Sequence, residues 1–176
     1  RQFPDLLTVI VPHNPKRVFE IAQSAAKIGL TAALRAGDRE NARLPEIYIA
    51  LASGEAELFL RGAGVIFAGK SLCHGGGKNP IEAARLGCAI LHGPDIGDFE
   101  EIYSALDNAG GGALVFDAET LAKQLAFLFF DKAELRAMAR AAAETAEDFG
   151  GGSTRTMQAI EPYLAQAIIA ARGGEG

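Results

Sequence analysis

The sequence predicts an α/β fold, a parallel sheet covered by helices on both faces. Three observations lead there. Strand-like and helix-like segments alternate along the chain. Most of the strand segments are continuously apolar, as strands buried on both faces are. The stretch Gly64–Gly93 places a strand, a glycine-rich loop, a short helix and a second strand within about thirty residues, the size of a βαβ unit.

Composition fits that class. The chain has 176 residues, 49% hydrophobic and 22% charged, enough to bury a core as one domain over residues 1–172, with 173–176 as a frayed tail. A net charge of −5 with no Lys/Arg cluster argues against nucleic acid as a partner. No apolar run is long enough for a bilayer, and no signal peptide is visible. Cys73 and Cys88 lack metal-ligand spacing and read as reduced thiols. The chain opens on Arg1 and runs directly into a strand, as a piece of something longer would.

Leu6–Val11 is apolar or β-branched throughout and reads as the first strand, halted by Pro12 and Pro15. Asn14 can cap a helix over Lys16–Ile28, which Gly29 ends. Leu30–Leu34 is a second strand, Arg35–Pro45 a polar loop, and Glu46–Leu51 a third strand. Ser53 can cap a helix over Gly54–Arg61. Val65–Phe67 is the fourth strand and Gly69–Lys78 the glycine loop; Asn79-Pro80 opens a helix ending at Gly87, and Cys88–Leu91 is the fifth strand. Asp98 can cap a helix through Asn108, and Ala113–Phe116 is the sixth strand. Helices follow at Ala118–Phe130, Ala133–Asp148 and Ser153–Ala171, the last two separated by Gly150–Gly152. In such sheets ligands bind beyond the carboxyl ends of the strands. That places Pro12–Lys16, Leu51–Glu55, Gly69–Asn79 and Gly93–Phe99 on one expected rim.

The glycine loop is the strongest candidate site. Gly75, Gly76 and Gly77 let the backbone approach a ligand closely, and amides at a helix start attract anions. Lys78 adds a cation where the helix dipole disfavours one unless an anion is bound. The spacing is neither a Walker loop nor G-x-G-x-x-G, so a plain surface loop stands beside the phosphate reading. Asn79 and Glu82 form N-x-x-E, either a capping box or a carboxylate placed for ribose hydroxyls. His13, His74 and His92 fall on three strand-end loops without a clear metal-ligand set. Ser71 and Cys73 lack a nucleophile elbow, and Asp95, Asp98, Glu100 and Glu101 read as dipole complementation.

The run Gly69-Lys70-Ser71-Leu72, then Gly75-Gly76-Gly77-Lys78-Asn79-Pro80-Ile81-Glu82, Leu86-Gly87, Gly93-Pro94, Phe99 and Glu101-Ile102 resembles the C-terminal half of the 3-deoxy-D-manno-octulosonic acid (Kdo) transferases. The family pattern there is close to G-G-S-L-x-x-x-G-G-H-N-P-L-E-P-A-x-x-G, then G-P and F-x-E-I. Upstream, Pro12–Arg17 falls where the family has P-R-H-P-E-R, and Gly54-Glu55 where it has D-T-x-G-E-L. The resemblance extends to about Ile160-Glu161-Pro162.

It implies a Rossmann-like domain, the C-terminal half of a GT-B glycosyltransferase, that binds the CMP-Kdo donor. Such enzymes transfer Kdo to a lipid A precursor in lipopolysaccharide synthesis, at the cytoplasmic face of the inner membrane, with inversion and without metal or other cofactor. The catalytic base, acceptor site and membrane contact would belong to an N-terminal domain outside this sequence, so no catalytic residue is expected here and the fragment alone would be inactive. By position, Gly75, Gly76, Gly77, Lys78 and Asn79 would hold the CMP phosphate, Glu82 the ribose, and Gly54 would lie near the cytosine, with His13 and Ser71 completing the nucleotide-sugar site. This sequence departs from the family at His13 and Asn14, which replace Arg-His, at Leu51-Ala52, which replace Asp-Thr, and at Lys78, which replaces His. Two alternatives remain at this stage: a GT-B donor domain for another nucleotide sugar, and a non-catalytic nucleotide-binding or interaction module.

Overall fold

The computed structural model describes residues 3–34, 45–51 and 56–149. The expected helix Ser153–Ala171, the Gly150–Gly152 break, most of the Arg35–Pro45 loop, and the Ser53 cap with Gly54 lie outside the described residues.

The chain forms two compact units, Arg1–Gly62 and Ala63–Gly176. In the first, β1 (Thr8–Ile10), β2 (Ala32–Ala33) and β3 (Ile47–Ile49) pair in parallel in the order β1-β3-β2. The expected six-residue first strand shortens to three because the ladder with β3 spans only Thr8–Ile10; Leu6, Leu7 and Val11 beyond it are exposed. Helix α1 (Val18–Lys27) follows a 3-10 turn at Pro15–Arg17, which Asn14 caps by accepting the Lys16 N–H at 3.0 Å. Its Val18 and Ala25 pack with Ile47 and Ile49 into the unit's core. The short α2 (Ala56–Leu60) sets Phe59 against Tyr48, ring centroids 5.0 Å apart.

The second unit is a β-loop-α-β arrangement extended by one more strand. Strands β4 (Val65–Phe67), β5 (Ala89–His92) and β6 (Gly112–Leu114) run parallel in the order β4-β5-β6. Helix α3 (Ile81–Arg85) crosses from β4 to β5, and α4 (Glu100–Asn108) from β5 to β6. Two helices then follow, α5 (Ala118–Phe130) and α6 (132–149).

Side chains alternate across a strand, and that alternation sorts the helices to the two faces. Ala89 and Leu91 share a cluster with Leu128 of α5 and Met138 of α6. His92, of opposite parity, meets Tyr103 and Asp107 of α4. Helices therefore cover this sheet on both faces, as a parallel sheet requires. β5, the middle strand, is buried along its whole length.

Local chemistry sets the helix starts. Asp117 and Thr120 form a reciprocal capping box at α5. Asp98 instead falls inside a 3-10 turn, Gly97–Phe99, and α4 starts after it without a side-chain cap.

Candidate functional site

The loops leaving β4 and β5 meet at the carboxyl end of the second sheet. Ser71 stitches them together: its hydroxyl donates to the Ala68 carbonyl at 2.6 Å and accepts the Gly93 N–H at 2.7 Å. The Ser71 carbonyl in turn accepts the Asp95 N–H at 2.9 Å. Ser71 is fully buried, so its hydroxyl is spent within the fold. There it holds the two loops together.

The crossing of the loops is tight enough to demand glycine. A side-chain carbon on Gly93 would overlap the Ser71 carbonyl, and one on Gly97 would lie 2.8 Å from the Gly76 carbonyl oxygen. Gly97, Gly76 and Gly77 all take positive φ, at 52°, 73° and 65°. Where they cross, the Gly75 N–H donates to the Asp95 carboxylate at 2.7 Å. The triple glycine thus already holds an anion, one supplied by the neighbouring loop.

Asn79 caps α3, its Oδ1 accepting the Ile81 N–H at 3.0 Å, and the Pro80 carbonyl accepts the Ala84 N–H. The capping box expected as one reading of Glu82 is not formed. Glu82 is exposed, and its carboxylate makes no hydrogen bond or ion pair among the described residues. Lys78 is exposed beside it on the approach to α3.

Below the loops lies a polar cluster around His92, which the sequence placed on a strand-end loop without joining it to Tyr103 or Asp107. His92 is 2% exposed at the end of β5. Its Nε2 lies 3.0 Å from Asp107 Oδ1, its Nδ1 lies 2.9 Å from the Gly93 carbonyl, and its ring meets Tyr103 at a 42° tilt with centroids 4.4 Å apart. Burial works against a charged ring, but the Asp107 hydrogen bond, the Gly93 carbonyl and the Asp107 charge outweigh it and raise the His92 pKa. The Tyr103 hydroxyl donates to the Lys78 carbonyl at 2.6 Å, and burial pushes its pKa up to about 12. A polar residue closing an otherwise apolar strand, with Tyr and Asp one turn apart on the next helix, was the available signal.

Of the other expected site residues, His13 lies in the exposed turn after β1 in the first unit, and Gly54 lies outside the described residues. His74 and Cys73 are exposed on the glycine loop. Cys88 is buried, its thiol donating to the Ala63 carbonyl at 3.4 Å, and burial pushes its pKa up to about 11. Among the described residues no group of three His, Cys, Asp or Glu side chains is placed to hold a metal ion. None of the helices among them is long and apolar enough to cross a membrane.

Comparison with known proteins gives the relatives of the chain. No family model matches the chain. It is 29% identical over 162 residues to a 3-deoxy-D-manno-octulosonic acid transferase of Bordetella pertussis, covering 92% of this chain and 38% of that protein. The corresponding Haemophilus influenzae transferase is 24% identical over 168 residues, covering 95% of this chain and 39% of its own. A probable mitochondrial enzyme of the same name from Arabidopsis thaliana is 32% identical over 108 residues, covering 60% of this chain and 24% of its own. The chain therefore spans less than two fifths of the curated relatives it matches. Among solved structures, the C-terminal CMP-Kdo binding domain of WaaA from Acinetobacter baumannii superposes with a TM-score of 0.73 at 22% identity, over 80% of this chain and 73% of that one. In sequence the chain is similar to Kdo transferases along nearly its whole length, and its Rossmann-like fold is that of the Acinetobacter domain.

Proposed function

We propose that this chain is the donor-binding half of a glycosyltransferase that takes Kdo from CMP-Kdo and attaches it to a lipid A precursor in lipopolysaccharide synthesis. The observation that carries this reading is the Gly75 amide holding a carboxylate where two left-handed glycines lead toward the start of α3. A turn that binds a carboxylate through its backbone suits a phosphate oxygen by the same chemistry. The similarity to Kdo transferases supports CMP-Kdo as the source of that phosphate.

In this reading Gly75, Gly76, Gly77 and Asn79 surround the phosphate and Lys78 supplies the cation. Glu82, with its carboxylate left open by the absent capping box, accepts from the ribose hydroxyls. Ser71 holds the loops in place, and His13 and Gly54 are assigned to donor binding by their positions in the Kdo transferase pattern alone. The acceptor, the catalytic base and contact with the cytoplasmic face of the inner membrane belong to the remainder of the enzyme.

A thermal-shift series with CMP, UDP and ADP tests the assignment, because a ligand that binds the folded state raises the melting temperature by mass action. CMP is expected to shift the melt, and UDP and ADP are not. A shift with UDP alone would reassign the donor, and no shift with any of the three would remove the nucleotide reading.

A further inference from the structure

We propose that His92, doubly protonated between Asp107 and the Gly93 carbonyl, acts with Tyr103 as a buried positioning pair that sets both loops of the donor site. The inference rests on the donor-binding reading for its consequence, and on the geometry of the second unit for its substance.

Each ring nitrogen of His92 faces an acceptor with no proton to give. Nδ1 lies against a backbone carbonyl and Nε2 against a carboxylate. A neutral imidazole has one N–H and would leave the other nitrogen's lone pair against an acceptor. Only the imidazolium satisfies both. The raised pKa of the ring agrees with this.

The contacts of this pair reach both loops. Gly93, whose carbonyl takes one imidazolium N–H, begins the turn that carries Asp95 to the Gly75 amide. Tyr103, in tilted ring contact with His92, donates to the carbonyl of Lys78 at the far end of the glycine loop. Tyr103 and Asp107 are four residues apart on α4, so one helix face grips the start of one loop and the end of the other. The titratable groups facing the ring are Asp107 and Tyr103, both from α4. Just beyond β6, the Val115 N–H is donated to the His92 backbone carbonyl. When the ring loses a proton, the remaining N–H stays with the Asp107 carboxylate, the stronger acceptor, and the Gly93 turn loses its donor. His92 and Tyr103 are both buried.

The test is a pH titration of the whole chain followed by NMR, with CMP affinity measured alongside. The His92 ring nitrogens should titrate above the ordinary value of about 6.5, and CMP affinity should fall about tenfold across that midpoint. The backbone amides of Gly75–Asn79 and Gly93–Asp95 should move with the same midpoint. Asp107→Asn should carry ring and amide midpoints downward together. Tyr103→Phe should uncouple the Gly75–Asn79 amides while leaving Gly93–Asp95 coupled, a split that general loosening of the fold does not produce. His92→Gln should abolish the coupled response and report the titration of CMP's own phosphate.

A ring that is neutral at pH 7, or loop amides indifferent to its titration, would overturn the proposal. So would loop amides that follow the ring while bound CMP holds its affinity. If the amides follow the ring but the wild-type chain binds no CMP, the donor-binding reading fails and the positioning of the loops stands.

Discussion

A single methyl group is enough to part the two loops of the site. At Gly93 an alanine would drive its side chain into the Ser71 carbonyl, which is backbone and has no rotamer to yield. Overpacking of this kind costs about 1–3 kcal/mol, so Gly93→Ala should lower the melting temperature and weaken CMP binding together. Lys78 makes a different prediction, because its side chain is exposed and its loss leaves the loop path intact. Lys78→Ala should weaken CMP about tenfold in a titration, the scale of one lost charge-assisted hydrogen bond, with the melting temperature of the free protein unmoved. Unchanged affinity would take Lys78 out of the site.

At the scale of the element, the decisive contact is the one between the glycine loop and the turn after β5. Asp95 offers the Gly75 amide a negative charge beside the place proposed for a phosphate. Asp95→Asn keeps an oxygen for that amide and removes the charge. CMP should then bind several-fold tighter, on the order of 1 kcal/mol for one like charge in a partly solvated site. Weaker binding would mean that Asp95 organises the loop more than it competes for it. Local signals made much of this legible: the triple glycine, Asn79 before Pro80, Asn14 before α1, and the apolar strands all follow from residue type and spacing. What local signals could not reach were partnerships across the fold. Ser71 looks like an exposed loop serine until β5 brings Gly93 to it, 22 residues away. His92 and Asp107 are joined only when α4 lies on the face of β5 that His92 shares. Glu82 failed in the opposite direction, since N-x-x-E satisfies the capping pattern and the carboxylate still does not return to Asn79.

For the molecule as a whole, three buried groups of the second unit make folding stability decline toward alkaline pH. Each has a folded pKa above its unfolded value, so the folded state binds more protons and stability falls as pH rises. His92 acts first. Its contribution is complete below about pH 6.5 and is lost as pH climbs through its higher folded value. Cys88 and Tyr103 act later. The thiol, with an ordinary value of 9.0 and a folded one of about 11, and the phenol, raised from 10.0 to about 12, both resist ionising where they are buried. Unfolding frees them to ionise, which steepens the loss above about pH 9. Denaturant unfolding across pH 6 to 11 should therefore show two declines. His92→Gln should flatten the first and leave the second, while Cys88→Ala should soften only the second. Stability that holds level between pH 6.5 and 9 in the wild-type protein would mean that the His92–Asp107 pair is as well satisfied with a neutral ring, and the imidazolium would have to be given up.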